Sequence, residues 1–399
     1  IYKRLFQDLK EAVEWLKDFR DSSPSQDLLD DFKRADKVCD GDIDKWIKFA
    51  NTLRLRIAMQ LVKVYPDSQK EAEDAVRDGV LTNSDSDVVL KSGLMLFRIE
   101  DLWNDTRANA NIISILQGYS APRLERWFAT NNADIYSTDD ELSPVVEKAT
   151  KYLGVRQGVP MTRTEYQGYS KTSRVGIPEQ GPRPVLRVAE AYFLRAEGML
   201  RNWNMGDGTP ESLYNEGIHS AWASVLGDES GWAGTYESYI NGFINTEEGG
   251  DFDWELFEGG FGSAPYINYR NQEYNYYIEE NGKQVGINRI SVRWHDEDSP
   301  EKKLQRIITQ KWISFFPTLS SVAWTEYRRT GYPKLIPIPS DLNYSNGAID
   351  TELQIRRLPF TQSEYRGNTE EVNKALGLLK GPDNGGTRLW WDVDKGNFE

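Results

Sequence analysis

Apolar residues recur at helical spacing through three stretches of the chain, and irregular polar and aromatic sequence separates them. In the first stretch, Leu5, Leu9, Ala12, Val13 and Leu16 mark one face of a helix running from Ile1 to Phe19 and ending before the Ser22-Ser23-Pro24-Ser25 turn. Asp42 is then placed to cap a helix whose apolar set of Trp46, Ile47, Ala50, Leu53, Leu55, Ile57, Ala58 and Leu61 is too wide for a surface helix. This helix is expected to pack on both sides. A shorter one follows from Ser68 to Arg77, with Gly79 as its natural stop.

A second pair is predicted from about Val185 to Trp203 and from Pro210 to Val225, across the Gly206-Asp207-Gly208 turn. A third runs from Pro300 to Phe316 and from Thr318 to Arg328, broken at Pro317. Small and aromatic residues alternate along Ala189, Tyr192, Phe193, Ala196 and Leu200, as they do where helix pairs stack in tetratricopeptide-like arrays. A regular solenoid is not expected, because no repeat of about 34 residues runs through the chain. Long stretches rich in Gly, Asn, Asp, Ser and aromatics lie between the pairs, at Asn104–Gly181, Gly227–Ser299 and Tyr332–Gly367. Loops of that length inside a compact protein usually carry function. The expectation is a mainly α protein, a single helical domain over residues 1–399 with few short strands and an irregular aromatic-rich insert at 227–299.

Composition narrows the partners. With 62 acidic and 48 basic residues the net charge is -14, so the surface repels nucleic acid and anionic lipid head groups. Cys39 is the single cysteine, which excludes an internal disulfide, and His219 and His295 leave little material for a zinc site. No run of about 18 apolar residues suggests a membrane span, and Ile1 opens into an amphipathic pattern without a signal peptide. The start therefore reads as internal to a longer chain.

Candidate chemistry is sparse. Asp40-Gly41-Asp42-Ile43-Asp44 begins like a calcium loop, but Lys45 stands where glycine is needed and Asn51 where glutamate is, so a helix cap is the better reading. His219 reads as a packed or surface histidine. No nucleophile elbow, phosphate loop or dinucleotide turn is present, and no cofactor is expected. Carboxylates are abundant, and a glycosidase needs only two facing across a cleft, so a glycan-degrading hydrolase or lyase of α/α fold stands as the alternative. The aromatic residues say more: 13 Trp and 20 Tyr exceed what a core of this size needs. Trp232, Tyr236, Tyr239, Trp254, Phe261, Tyr266, Tyr269, Tyr274, Tyr276, Tyr277 and Trp294 all fall in the insert. Flat rings give broad apolar contact at small entropic cost, and Asn, Asp and Arg beside them hydrogen-bond hydroxyls or amides. The expected ligand-binding residues are Trp103, Asn104, Arg107, Trp232, Trp254, Tyr266 and Tyr269, although single rings among such a cluster often only pin loops to a scaffold.

The C-terminal third carries a specific set of motifs: Gln310-Lys311-Trp312, Ala323-Trp324, Arg328-Arg329-Thr330-Gly331-Tyr332-Pro333-Lys334-Leu335, Arg356-Arg357-Leu358-Pro359-Phe360 with Glu364 and Asn368, and Trp390-Trp391-Asp392. In order and spacing these closely resemble the SusD/RagB family. Upstream, Gly41-Asp42 with Lys45-Trp46, Phe49-Ala50-Asn51 and Leu53-Arg54-Leu55-Arg56, and the segment Arg187–Glu197, are similar to helices of that family. Pro122-Arg123-Leu124 resembles its "DPR" turn with Ala121 in place of aspartate. The resemblance implies tetratricopeptide-like helix pairs, no catalysis, and a role as lid over a SusC-like TonB-dependent transporter. It also implies an outer-membrane tether through a lipidated N-terminal cysteine, which this sequence does not contain, and a stretch of chain before Ile1. The cargo it implies is glycan or peptide; rings rich in Trp and Tyr, flanked by Asn and Asp, favour glycan. The shared motifs are scaffold motifs, so Arg328 and Arg329 are expected to be ion-paired structural residues.

Overall fold

In the computed structural model, the described residues are 1–90, 106–119, 121, 123–130, 152, 154–155, 157–158, 169–171, 183–222, 277–280, 283–286, 288, 290–338 and 342–399. The first apolar stretch folds as α1 (Tyr2–Asp21), α2 (Gln26–Ala35), α3 (Ile43–Gln60) and α4 (Ser68–Arg77). Asp42 caps α3 as expected, its Oδ1 accepting from the Lys45 amide at 2.9 Å. The wide apolar set of α3 is buried on two sides. Ile43, Ile47 and Ala50 meet Val13 of α1, while Leu55, Ala58 and Met59 meet Phe6 of α1 and Ala72 and Ala75 of α4. Gly79, at φ +97°, ends the α4 turn in the left-handed region that a side chain disfavours. Helix α2 has no fully buried residue; Leu29 and Phe32 lean on the α1–α3 cluster.

The main core is built by the later helices. Helix α5 (Ala110–Gly118) is capped by Asn109, whose Oδ1 accepts from the Asn111 amide at 2.8 Å, and α6 (Arg123–Trp127) follows. Strand β1 (Val88–Leu90) pairs antiparallel with β2 (Arg183–Leu186), with Val88 opposite Leu186 and an irregularity between Val88 and Val89. Because Arg183–Leu186 is spent on this pairing, the next helix, α7, starts at Val188 and runs to Leu200, shorter than the pattern predicts. Its partner α8 (Pro210–Trp222) lies against it so closely that a Cβ at Gly217 would sit 2.7 Å from Phe193. Strands β3 (Tyr277–Glu280) and β4 (Lys283–Gly286) form an antiparallel hairpin inside the insert. Helix α9 (Pro300–Phe315) packs on α7, and α10 (Ser320–Thr330) follows the break at Pro317 and ends on Gly331 in the left-handed conformation. Phe193, Tyr214, Trp294 and Ile307 belong to one continuous apolar core. Two short helices, α11 (Gln362–Gly367) and α12 (Thr369–Leu376), lie in and just beyond sequence read as irregular; of their residues only Val372 is buried.

Charge holds the later helices together. The Arg329 guanidinium of α10 donates to both carboxylate oxygens of Glu197 on α7, at 2.6 and 2.7 Å, and to Glu326 at 2.6 Å. All three side chains are essentially sealed from solvent. Arg201 adds a second cation to Glu197 at 2.8 Å, and Lys311 of α9 lies 3.4 Å from Glu326. Arg56 of α3 reaches Glu190 of α7 in the same bidentate manner. Arg356 binds Asp392 and Arg357 binds Asp383, which fixes the C-terminal segment. Arg329 thus fills the structural role expected of it. Arg328 departs from the expectation: its guanidinium sits 3.7 Å from the Trp324 ring and 4.7 Å from the Trp391 ring, and it donates to the Arg356 carbonyl at 2.6 Å.

Burial alone would raise the Glu197 pKa; the Arg329 and Arg201 charges and their hydrogen bonds outweigh it and hold the carboxyl at about 2, below its ordinary 4.5. A folded value below the unfolded one means that this pair's stabilisation is complete above pH 4.5 and is lost as pH falls toward about 2. Two outcomes follow. Urea unfolding of the wild type is expected to show a decline in stability across that acid window, a decline that Glu197→Gln flattens. Arg329→Ala, which strands two buried carboxylates, is expected to cost about 3–5 kcal/mol by the same assay.

Candidate ligand-binding site

Of the residues singled out for binding, Trp103, Asn104, Trp232, Trp254, Tyr266 and Tyr269 lie outside the described residues. Arg107 is described. It is buried just before α5, and its guanidinium donates to the Thr106 carbonyl at 2.7 Å. The adjoining backbone is tied down as well: the Ala108 amide donates to Ser170 at 2.8 Å, and Val155 donates to Ala108 at 2.7 Å. Trp294, the last ring of the aromatic cluster, is part of the core and not of an open face. It packs against Tyr214 at 5.3 Å between ring centroids, and its indole donates to Asp296 at 3.1 Å. Tyr119 and Tyr214 donate to the Ile290 and Val292 carbonyls, each at 2.7 Å, so the C-terminal root of the insert is clamped to α5 and α8.

One open cleft is formed by the described residues where the α9–α10 corner approaches the start of α5. Its volume is about 320 Å³. Trp312, Phe316, Trp324 and Tyr327 supply its rings, and Asn109, Asn111, Gln157 and Gln354 its amides. Two of these rings are braced by neighbours. Phe316 packs against Trp127 and Phe128 at 5.0 and 5.2 Å, and the Trp324 face is covered by Arg328 as described above. Two of the ring heteroatoms are committed elsewhere: Trp324 Nε1 donates to Ile355 and Tyr327 Oη to Glu352, at 2.8 and 2.7 Å. The described lining contains no charged side chain.

Gln354 stands apart from the other lining residues. It is 9% exposed, and its Nε2 is buried without a hydrogen-bond partner. Its backbone sits at φ +57°, a region that a long side chain adopts only against strain. Sequence reasoning passed over this cleft. Trp312 and Trp324 were accounted for as scaffold motif, and Gln354 lies in sequence read only as irregular. The signals that mark it, a strained backbone and an orphaned amide, exist only once the chain is folded.

The other candidates resolve simply. Asp42 is the helix cap described above. His219 is half-buried in the middle of α8, and among the described residues no three His, Cys, Asp or Glu side chains converge on a point. Cys39 is buried, and burial pushes its thiol up to about 12, so it is an unreactive core residue.

Comparison with known proteins places these features in context. The SusD-like family model, described as SusD and RagB outer membrane lipoprotein, matches residues 1–236 and 261–392. A structure described as a chitin-binding SusD homologue from Flavobacterium johnsoniae is 35% identical, with a TM-score of 0.76, covering 100% of this chain and 73% of its own. A SusD homologue from Bacteroides vulgatus is 32% identical with a TM-score of 0.77, covering 100% and 72%. One from Bacteroides ovatus is 31% identical with a TM-score of 0.75, covering 98% and 73%. No curated protein matches the chain.

Proposed function

The chain belongs to the SusD-like family of SusD and RagB outer-membrane lipoproteins, and from that membership we propose that it captures glycan at the cell surface without catalysis. In this reading it delivers the glycan to a SusC-like TonB-dependent outer-membrane transporter. In this reading a lipidated cysteine tethers it to the outer membrane, a role that Cys39, sealed in the core, does not fill. The observation that carries the glycan reading is the likeness, at 35% identity over the whole chain, to a protein described as chitin-binding.

Two features of the molecule support it. The long segments between helix pairs hold a concentration of Trp and Tyr beside Asn and Asp, the side chains that stack on sugar faces and bond their hydroxyls. The proposed contacts are Trp103, Asn104, Trp232, Trp254, Tyr266 and Tyr269, with Arg107 where the first of these segments enters the scaffold. Four buried carboxylates of the described residues, in contrast, are committed to ion pairs. Glu190, Glu197, Glu326 and Asp392 are each bound to arginine, and the cleft lining has no carboxylate pair to act as acid and base.

Two measurements test the proposal. Incubation of the pure protein with a polysaccharide library is expected to give binding and no new reducing ends or unsaturated products; turnover by homogeneous protein, abolished by one carboxylate substitution, would make it an enzyme. For a glycan that binds, alanine at Trp254 or Tyr266 is expected to weaken affinity about five-fold or more without unfolding the protein. Unchanged affinity across alanine substitutions at Trp103, Trp232, Trp254, Tyr266 and Tyr269 would remove these rings from the site. Binding of peptides and of no glycan would reassign the cargo.

A further inference from the structure

We propose that the cleft between the α9–α10 corner and the start of α5 is a second saccharide site, built on the scaffold, that holds a neutral sugar unit against Trp312 and Trp324 with Gln354 donating to it. This rests on the glycan reading above for the class of ligand only; the site itself rests on the cleft.

The chemistry of the lining selects the ligand. At about 320 Å³ the cleft lies near the lower end of the range of small-molecule sites, about 300–1,000 Å³. It has room for a short saccharide segment and none for a folded partner. A protein with a net charge of -14 here presents an uncharged surface, so nothing in the described lining would compensate a carboxylate, sulfate or ammonium group on a ligand. What the surface offers is ring area and amides. The Trp324 and Tyr327 polar atoms are bonded away from the cleft, so their contribution to it is apolar, the kind that stacks on the C–H face of a pyranose. The rings are held by packing and by Arg328, so little order remains to be imposed on binding.

Gln354 supplies the second, independent observation. A buried amide N–H without a partner is costly, and native structures satisfy nearly all such groups. Nε2 has no exposed surface in the free protein, so a turn of the side chain toward the cleft it lines, with a ligand hydroxyl, ring oxygen or carbonyl oxygen accepting from Nε2, removes that cost. Glycine would adopt φ +57° without strain. The chain instead carries the longest neutral amide side chain there, and this residue lines the cleft. Asn111 cannot substitute as acceptor, since its Oδ1 is already taken by the Ile336 amide at 2.7 Å.

The test separates this site from the one on the irregular segments. A variant with Trp103, Trp254 and Tyr266 replaced by alanine removes the contacts proposed there. Into it, and into the wild type, neutral chito-, cello-, malto- and xylo-oligosaccharides are titrated while the indole NMR signals are followed, with Trp312 and Trp324 assigned from their phenylalanine variants. The expected result is that both signals shift in the wild type and in the triple variant, for at least one oligosaccharide. Gln354→Gly, with melting temperature unchanged or raised because the backbone strain is relieved, is expected to need at least ten-fold more ligand for the same shift. Two results overturn the inference while leaving the glycan reading intact: the wild type binds but the Trp312 and Trp324 signals stay still, or Gln354→Gly shifts at the same concentrations as Gln354. A wild type that binds none of these saccharides by any signal overturns both.

Discussion

The buried carboxylate of Glu197, gripped by Arg329 from one side and Arg201 from the other, is the contact on which the arrangement of the later helices depends. A charge without water must be matched almost completely, and here the matching residues come from separate elements: Glu197 from α7, Arg329 and Glu326 from α10, with Lys311 from α9 close to Glu326. The geometry of three helices is set by one polar cluster whose parts tolerate little displacement. Apolar packing among Phe193, Tyr214 and Ile307 supplies burial, but such contacts allow sliding that a bidentate guanidinium does not.

That division explains why the same residues cannot also be the chemistry of the site. Among the described residues, Glu190, Glu197, Glu326 and Asp392 are each spent on an arginine, and the charge network recurs at Arg56–Glu190, Arg356–Asp392 and Arg357–Asp383. The scaffold is stiffened by its ionic residues, whereas the described lining of the α9–α10 cleft consists of neutral ones, rings and amides among them. In the role proposed above, release of cargo to a transporter would gain from such neutral contacts, which are individually modest and exchange readily with water.

Much of the fold was legible in the sequence because long amphipathic periods are local. The two-sided burial of α3 followed from the width of its apolar set, the Asp42 cap from a single carboxylate at the right offset, and the helix break from Pro317. The departures have equally local causes. Helix α7 begins late because Arg183–Leu186 pairs with a strand far away in sequence, a partner no periodicity reveals. Helices α2, α11 and α12 are short and bury almost nothing, so little packing distinguishes them from the turns around them. The Trp294 ring, grouped by sequence with the binding cluster, is a core residue because Tyr214 lies across from it. The cleft around Gln354 was illegible for a different reason: its rings were recognised as motif, and its distinguishing features are a backbone angle and a missing partner.

We propose that the ion-paired frame stays fixed while a glycan is held on neutral surfaces outside it. Hydrogen–deuterium exchange with and without a bound neutral oligosaccharide tests this directly. Amides of α7, α9 and α10 around Glu197, Lys311 and Arg329 are predicted to keep the same protection in both states, with changes confined to the segments between helix pairs and the rim of the α9–α10 cleft. Altered protection across that frame, with the intervening segments unmoved, would contradict it.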